Sequence, residues 1–447
     1  MADKEIINDD SFIGFQSAFA VAGTADKQLP DVSIVPDTDG AIRAIETVGE
    51  EFPTGTQHGV IRTTLDVSGT IDFVSIIYLL EALFGTVTPT TVGGTGKQRV
   101  YTPSTTKPNF FTCDYGDSVR FMRILDCFLT DLGLHATLEE TTLTGAGIGQ
   151  RLLDSVIDGL TLASAALLAQ KTPDPLKSTL RRATSLSGLD TAAPFGRAFT
   201  WDANLGGRWS PLHAMNAALG GRYDAVLRKK PTAADGMIQV GADDDGWGYW
   251  TRAVNNTIDY IRYSIFGDTI QAGTAEVQTV EFTGGPVGGS AILTLPAHYG
   301  AGAQVIAPIG ATATAVVFQA ALNASPFIAA FGGVTVGRTG AGSAGSPYIY
   351  TVTFNAAHGA VPQFTSTNTF TGGTTPSVTH ATSTPGVDPI RYLLQVDMAV
   401  AAREFPKRGT APAYAEGLDV LDVPLWLMKT ATLNGLQVTV INETAIT

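Results

Sequence analysis

Residues Asp66–Gly85 read DVSGTIDFVSIIYLLEALFG. Around its first half apolar and polar residues alternate: Leu65, Val67 and Ile71 interleave with Asp66, Ser68, Thr70 and Asp72, the period of a half-buried strand. From Phe73 the spacing opens to Phe73, Ile76, Ile77, Leu80, Leu83 and Phe84, the period of a helical face. The stretch therefore predicts a strand feeding directly into a short, nearly all-apolar helix over Phe73–Phe84. Asp72 suits its N-cap and Gly85 the position just beyond its C-terminus. No side chain in it carries reactive chemistry, so the expected role of the six apolar helix positions is packing.

The rest of the 447-residue chain is long enough for two or three domains. It is 44% hydrophobic and only 15% charged, with 49 Gly and 23 Pro, a composition that leans towards strands and turns. Its formal net charge is −13, so its global field repels polyanions and argues against non-specific nucleic-acid binding. The acidic start MADKEIINDD has no apolar core, which reads as no secretory signal, and no apolar run reaches the length of a membrane span. Cys113 and Cys127 are too few for a disulfide framework and lack metal-site spacing; they read as reduced core thiols of a protein made in a cytoplasm.

One boundary is sharp. Between Val277 and Gly386 the only charged side chains are Glu281 and Arg338, so residues 1–276 and 387–447 carry the whole net charge. The block has strand-like runs (QTVEF, YIYTVTF), a helix-like patch over Ala311–Asn323, and FTGG at Phe282 and again at Phe370. It reads as a small β-rich domain, 277–386, inserted into a host made of 1–276 and 387–447. In the host, strands are expected over Phe110–Tyr115 and Ser118–Thr130 about a Gly116-Asp117 turn, and over Ile390–Glu404, Leu418–Thr430 and Leu436–Asn442. Asn434-Gly435 signals a hairpin between the last two. Gln150–Gln170 fits a helix or a strand pair.

Motifs that resemble chemistry fail on context. GAGSAG (Gly340–Gly345) precedes a strand rather than a helix and reads as a hairpin loop. GGTGK (Gly93–Lys97) lacks the first glycine and the hydroxyl of a phosphate loop. Asp243–Gly246 lacks the first and last carboxylates of a calcium loop and reads as a solvated acidic turn. Glu139 and Glu140, if adjacent on a strand, point to opposite faces. The six histidines show no H-x-x-x-H pair and read as surface or loop residues, and no G-x-S-x-G occurs. No enzyme, cofactor or metal site is expected.

With those cleared, the order strand–SGT–strand–short apolar helix–Gly–Thr resembles the major tail tube protein family of long-tailed bacteriophages. So do the Gly/Thr linker TPTTVGGTG, the following QRVYTPSTTKPNFFTCDYGD, and the closing LNGLQVTVIN. The match covers 1–276 and 387–447, loosely over 171–276. The low-charge block resembles an Ig-like accessory domain of phage tail proteins, carried by Val277–Gly284, Ala311–Leu322, Val334–Phe354 and Gly373–Gly386; its GRTGAGSAGSP loop and SPFIAAFGG depart from that pattern.

The resemblance implies a mainly β (α+β) fold: a tail-tube β-sandwich or open barrel with a short flanking helix, plus the inserted Ig-like domain. It implies stacked, hexameric rings of this chain, contacts with a tape measure protein and tail completion or tip proteins, and a place in the virion. Genomic DNA would pass through the lumen without specific binding, and no membrane is involved. Six copies at −13 give a ring charge of about −78, which suits a wall that repels phosphates. Asp66, Asp117, Asp126 and Asp131 are the candidate lumen-facing carboxylates, with the outer surface open to each of them. A β-domain surface or carbohydrate binder, and a capsid or decoration protein, stand as alternatives.

Overall fold

The computed structural model describes residues 10–444 except 20, 22, 40–42, 46–54, 58–61, 104–107, 117–119, 165, 207, 208, 214–222, 224, 229–234 and 297–302. The chain is mainly β. Numbering the principal elements along the chain, β1 (Asp10–Phe15) is followed by β2 (Val32–Asp39) and β3 (Arg62–Thr70), and β2 and β3 pair antiparallel. β3 keeps the predicted alternation, with Thr63, Leu65 and Val67 inward and Thr64, Asp66 and Ser68 outward. The glycine of its SGT is required by close approach: a Cβ at Gly69 would lie 2.0 Å from the Asp31 carbonyl oxygen.

Helix α1 (Ser75–Phe84) starts two residues later than the apolar spacing suggests, because Phe73 and Val74 form a turn and Val74 occupies the cap position. Asp72 nonetheless serves the helix start from outside it. Its Oδ1 accepts the N–H groups of Val74 (2.8 Å) and Ser75 (2.9 Å), and its Oδ2 accepts the N–H of Lys171. Gly85 ends the helix at φ +93° with its N–H on the Glu81 carbonyl. Asp72 is fully buried, so Asp72→Ala strands three backbone donors and is expected to cost about 2–4 kcal/mol. Urea unfolding measures this; a loss under about 0.5 kcal/mol would contradict the capping role.

The helix is not a flank. All ten of its residues are buried, and it packs on β4 (Gly96–Tyr101) and, further along, β6 (Phe121–Ala136). Phe15, Tyr101 and Tyr392 lie against Tyr78, Phe84 and Phe73 at ring-centroid distances of 6.0, 6.5 and 5.7 Å. A helix buried on every side lies inside a core, and the expected flanking position is corrected accordingly. Its one charge, Glu81, meets Arg99 of β4 at 3.7 Å; Arg99 also donates to Asn442 Oδ1 (3.1 Å) and the Thr444 carbonyl (2.9 Å).

β5 (Phe111–Gly116) pairs with the first half of β6, Gly116 opposite Phe121, as the hairpin reading requires; Asp117 and Ser118 of that turn lie outside the described residues. The second half of β6 pairs with β7 (Thr141–Gly149), and β7 pairs with β3. Thr137–Glu140 are the β6–β7 turn, so Glu139 and Glu140 are both exposed turn residues rather than a strand pair. Among the described residues, 150–170 form neither a helix nor a mutual strand pair: β8 (Arg151–Asp154) pairs with β6, and Ala166–Leu167 pairs with Lys27–Gln28. β9 (Ser178–Ala183), β10 (Ala198–Asn204) and β11 (Asp235–Gly241) follow. Asp243 caps α2 (Asp244–Val254) by accepting the Gly246 N–H, so the acidic run is a helix start and not a free turn. β12 (Asp259–Gln271) then pairs with β9.

The low-charge block holds β13 (Val277–Thr283), β14 (Ser290–Leu295), α3 (Ala315–Asn323), β15 (Val334–Thr339), β16 (Tyr348–Phe354), β17 (Thr365–Asn368) and β18 (Ser377–Thr384). Among the described residues these strands pair only with strands of the same block, in the orders β15-β16-β13-β18 and β14 with β17. They enclose a core of their own around Phe282, Phe318, Tyr350 and Phe354. Thr274 and Val387 exchange backbone hydrogen bonds at the base. Gly340–Gly345 sits in the β15–β16 connection, where three successive N–H groups point at the Ser346 carbonyl. His358 is fully buried beside Phe354, which corrects its surface or loop reading.

β19 (Ile390–Ala402), β20 (Val420–Leu427) and β21 (Leu436–Asn442) return to the first core. One edge of β19 pairs with β12; along the other, β21 lies opposite Leu393–Met398 and β20 opposite Val400–Ala402. β20 and β21 thus run end to end along one strand. The expected Asn434-Gly435 hairpin between them shrinks to a local turn closed by Lys429 and Asn434. The path β2-β3-β7-β6-β10-β11-β20-β19-β12-β9 wraps one continuous core around α1.

Candidate functional site: an acidic strand face

The face of β2, β3, β7, β6 and β10 that points away from α1 is built by simple alternation. Leu65, Val67, Leu132, Leu134, Leu143 and Trp201 fill the core, so the residues between them must face out. On that outer face Asp66 of β3 stands opposite Ala146 of β7, and Ala146 stands opposite Asp131 of β6. The two carboxylates therefore share one cross-strand row, two strands or about 10 Å apart. Asp37 of β2 lies opposite Thr64 on one side, and Asp202 of β10 lies opposite His135 on the other.

Between the acids the face carries short side chains: Ser33, Ser68, Thr144, Gly133 and Asn204 fall in a single row. Gly145 and Gly147 let β7 approach β6 where its register shifts between Leu129 and Asp131; a Cβ on Gly145 would meet the Asp131 carbonyl oxygen at 2.9 Å. Asp131 Oδ2 accepts from the Asn204 amide at 3.4 Å, and Asp202 meets His135 Nδ1. Among the described side chains of these strands' outer face, the Lys and Arg residues are Arg62 at one end of β3 and Arg123 near the start of β6, where it is paired with Asp114. The field above the sheet is that of several carboxylates with little local neutralisation.

The outer surface of β12, β19 and β21 is different. There Arg262 donates to Asp397 at 2.6 and 3.2 Å and to Asp190 at 2.5 Å, so its charges are paired. Burial and Arg262 hold the neighbouring Arg181 guanidinium below its ordinary pKa.

Of the sequence candidates, Asp66 and Asp131 come together on the acidic face. Asp126 does not: it sits in a β6 bulge at φ +55° and is only 3% exposed, which removes it from any surface. Asp117 lies outside the described residues. Phe73, Ile76, Ile77, Leu80, Leu83 and Phe84 are all buried at 6% exposure or less. Asp37 and Asp202 belong to the face and were missed, though Asp37 is signalled by the alternation VSIVPD. Cys113 and Cys127 are fully buried free thiols whose pKa burial pushes up. Among the described residues no group of three His, Cys, Asp or Glu side chains is placed to hold a metal, and no helix is long and apolar enough to cross a membrane.

No family model matches the chain, and no curated protein matches it. Among solved structures, a chain from infectious bursal virus derived T=1 particles is 10% identical over 94% of this chain and 79% of its own, with a TM-score of 0.12. A likeness at that level bears on neither fold nor function.

Proposed function

We propose that this chain is a structural virion protein, a tail tube subunit that assembles as stacked, hexameric rings. The observation that carries the reading is the acidic, short-side-chain strand face backed by an enclosed helix. In the proposed ring this face lines the lumen, so DNA passes a wall that repels phosphates and offers no row of cations to hold them. Lateral joining of sheets between copies would also remove strand edges that otherwise invite aggregation. The low-charge domain projects outward as an accessory, and the tape measure and tail completion proteins are the expected partners of the tube.

Negative-stain microscopy of the purified chain tests this. Hollow filaments or six-fold rings are expected at high concentration, and, at a raised threshold concentration, from a variant lacking 277–386, whose ends Thr274 and Val387 already bridge. A monomer at every concentration, alone and with tail initiator proteins, would overturn it. Closed shells would instead favour the capsid or decoration reading, and saturable glycan binding by a monomer the surface-binding one.

A further inference from the structure

A cavity of about 310 Å³ opens where the low-charge domain meets the host sheet. Its walls are apolar, with Phe266 of β12, Ile390 of β19, Ile441 of β21 and Phe331 from the low-charge domain. Arg181 and Arg391 also line it, and no acidic side chain does. Arg181 donates to the Leu189 and Asp190 carbonyls, while the Arg391 Nε is buried without an acceptor. An apolar cavity with two cations fits an apolar side chain that brings a carboxylate.

The chain itself presents that combination. The turn after β8 exposes Val156 (66%) and Ile157 (80%), followed by the exposed Asp158. The turn is held from beneath: Asp154 Oδ1 accepts the N–H groups of Val156 (2.9 Å) and Ile157 (3.3 Å), and Ser155 Oγ accepts the Phe121 N–H. Asp154 is paired with Arg120, whereas Asp158, whose Oδ2 accepts the Asp154 N–H at 2.9 Å, has no ion-pair partner among the described residues. A fixed turn carrying two exposed aliphatic side chains has little ordering entropy left to lose on docking.

Building on the self-assembly proposed above, we infer that the Val156–Ile157 turn of one copy seats in this cavity of the next copy, with Asp158 facing Arg391. The turn and the cavity share no residue; in the stacked-ring assembly proposed above the contact runs head-to-tail, each copy's turn in the next copy's cavity, and so closes into a ring or runs on as a filament.

The test mixes full-length Ile157→Cys and Ala357→Cys variants under mild oxidation; the native thiols are fully buried and do not compete. A disulfide-linked pair from the mixture, and from neither variant alone, is expected. In parallel, Asp158→Arg should raise the concentration needed for assembly by about tenfold or more, and adding Arg391→Asp should restore it. No cross-link, together with assembly unaffected by Asp158→Arg, overturns the contact while the tube reading stands. A cross-linked pair from a chain that never forms rings or filaments leaves the contact standing and overturns the tube.

Discussion

Arg99→Met is expected to cost about 3–5 kcal/mol of folding stability at pH 8, and clearly less at pH 6. Arg99 and Glu81 are among the most enclosed charges of the core, with side chains 1% and 3% exposed. Burial pushes the Glu81 carboxyl up to about 7, against which Arg99 pulls it down. A carboxyl whose folded pKa lies above its unfolded one holds its proton more tightly in the folded chain. Its contribution is therefore complete below about pH 4.5 and is lost as pH rises through about 7. Removing Arg99 takes away the counter-charge, so at pH 8 the folded chain must either bury a lone carboxylate or bind a proton against the solution. At pH 6 the proton is already largely in place. Adding Glu81→Gln should recover most of the loss, because a neutral amide leaves no uncompensated charge. Urea denaturation at the two pH values measures all of this. A pH-independent loss, or one under about 1 kcal/mol at pH 8, would mean that the pair is not coupled as the geometry indicates.

The change of period between Asp72 and Phe73 marks where strand becomes helix, and the near absence of charge over 277–386 marks the block whose strands pair among themselves. Both follow from burial, which leaves a periodic or compositional trace. Which residues face out on β6 leaves no such trace. Asp126 and Asp131 are five positions apart, so a regular strand would place them on opposite faces. A left-handed residue at Asp126 and a register shift before Asp131 reset the phase twice within that strand. Asp can adopt φ near +55° without glycine, so the sequence gives no warning of the bulge. The collinear β20 and β21 are hidden for a related reason. Asn-Gly favours a tight turn, but whether the flanking strands then pair with each other or with a third depends on β19, some thirty residues upstream. The position of α1 is the opposite case. Ser75, Tyr78 and Glu81 break up its apolar pattern and suggest an exposed stripe, yet Arg99 and Asn442 arrive from distant strands to make full enclosure tolerable.

The largest functional effect should come from reversing the charge of the acidic face. In the proposed ring, Asp37→Lys, Asp66→Lys and Asp202→Lys together would turn three carboxylates per copy into three cations, all on side chains whose alternation points them away from the core. Wild-type tubes should not retain duplex DNA. The triple variant should bind it, with an affinity that falls about a thousandfold or more between 50 and 200 mM salt if six or more phosphates are contacted. Added charge alone would attract DNA to any surface, so the control places lysines at Val100, Gln395 and Gln437, on the sheet surface where Arg262 is paired with Asp397. Nuclease digestion then separates the two cases. DNA held inside a tube should survive as protected fragments, whereas DNA held by the control should be degraded. Protection in the control and not in the triple variant would place the acidic face on the outside of the assembly, and the repulsive-wall mechanism would fail with it.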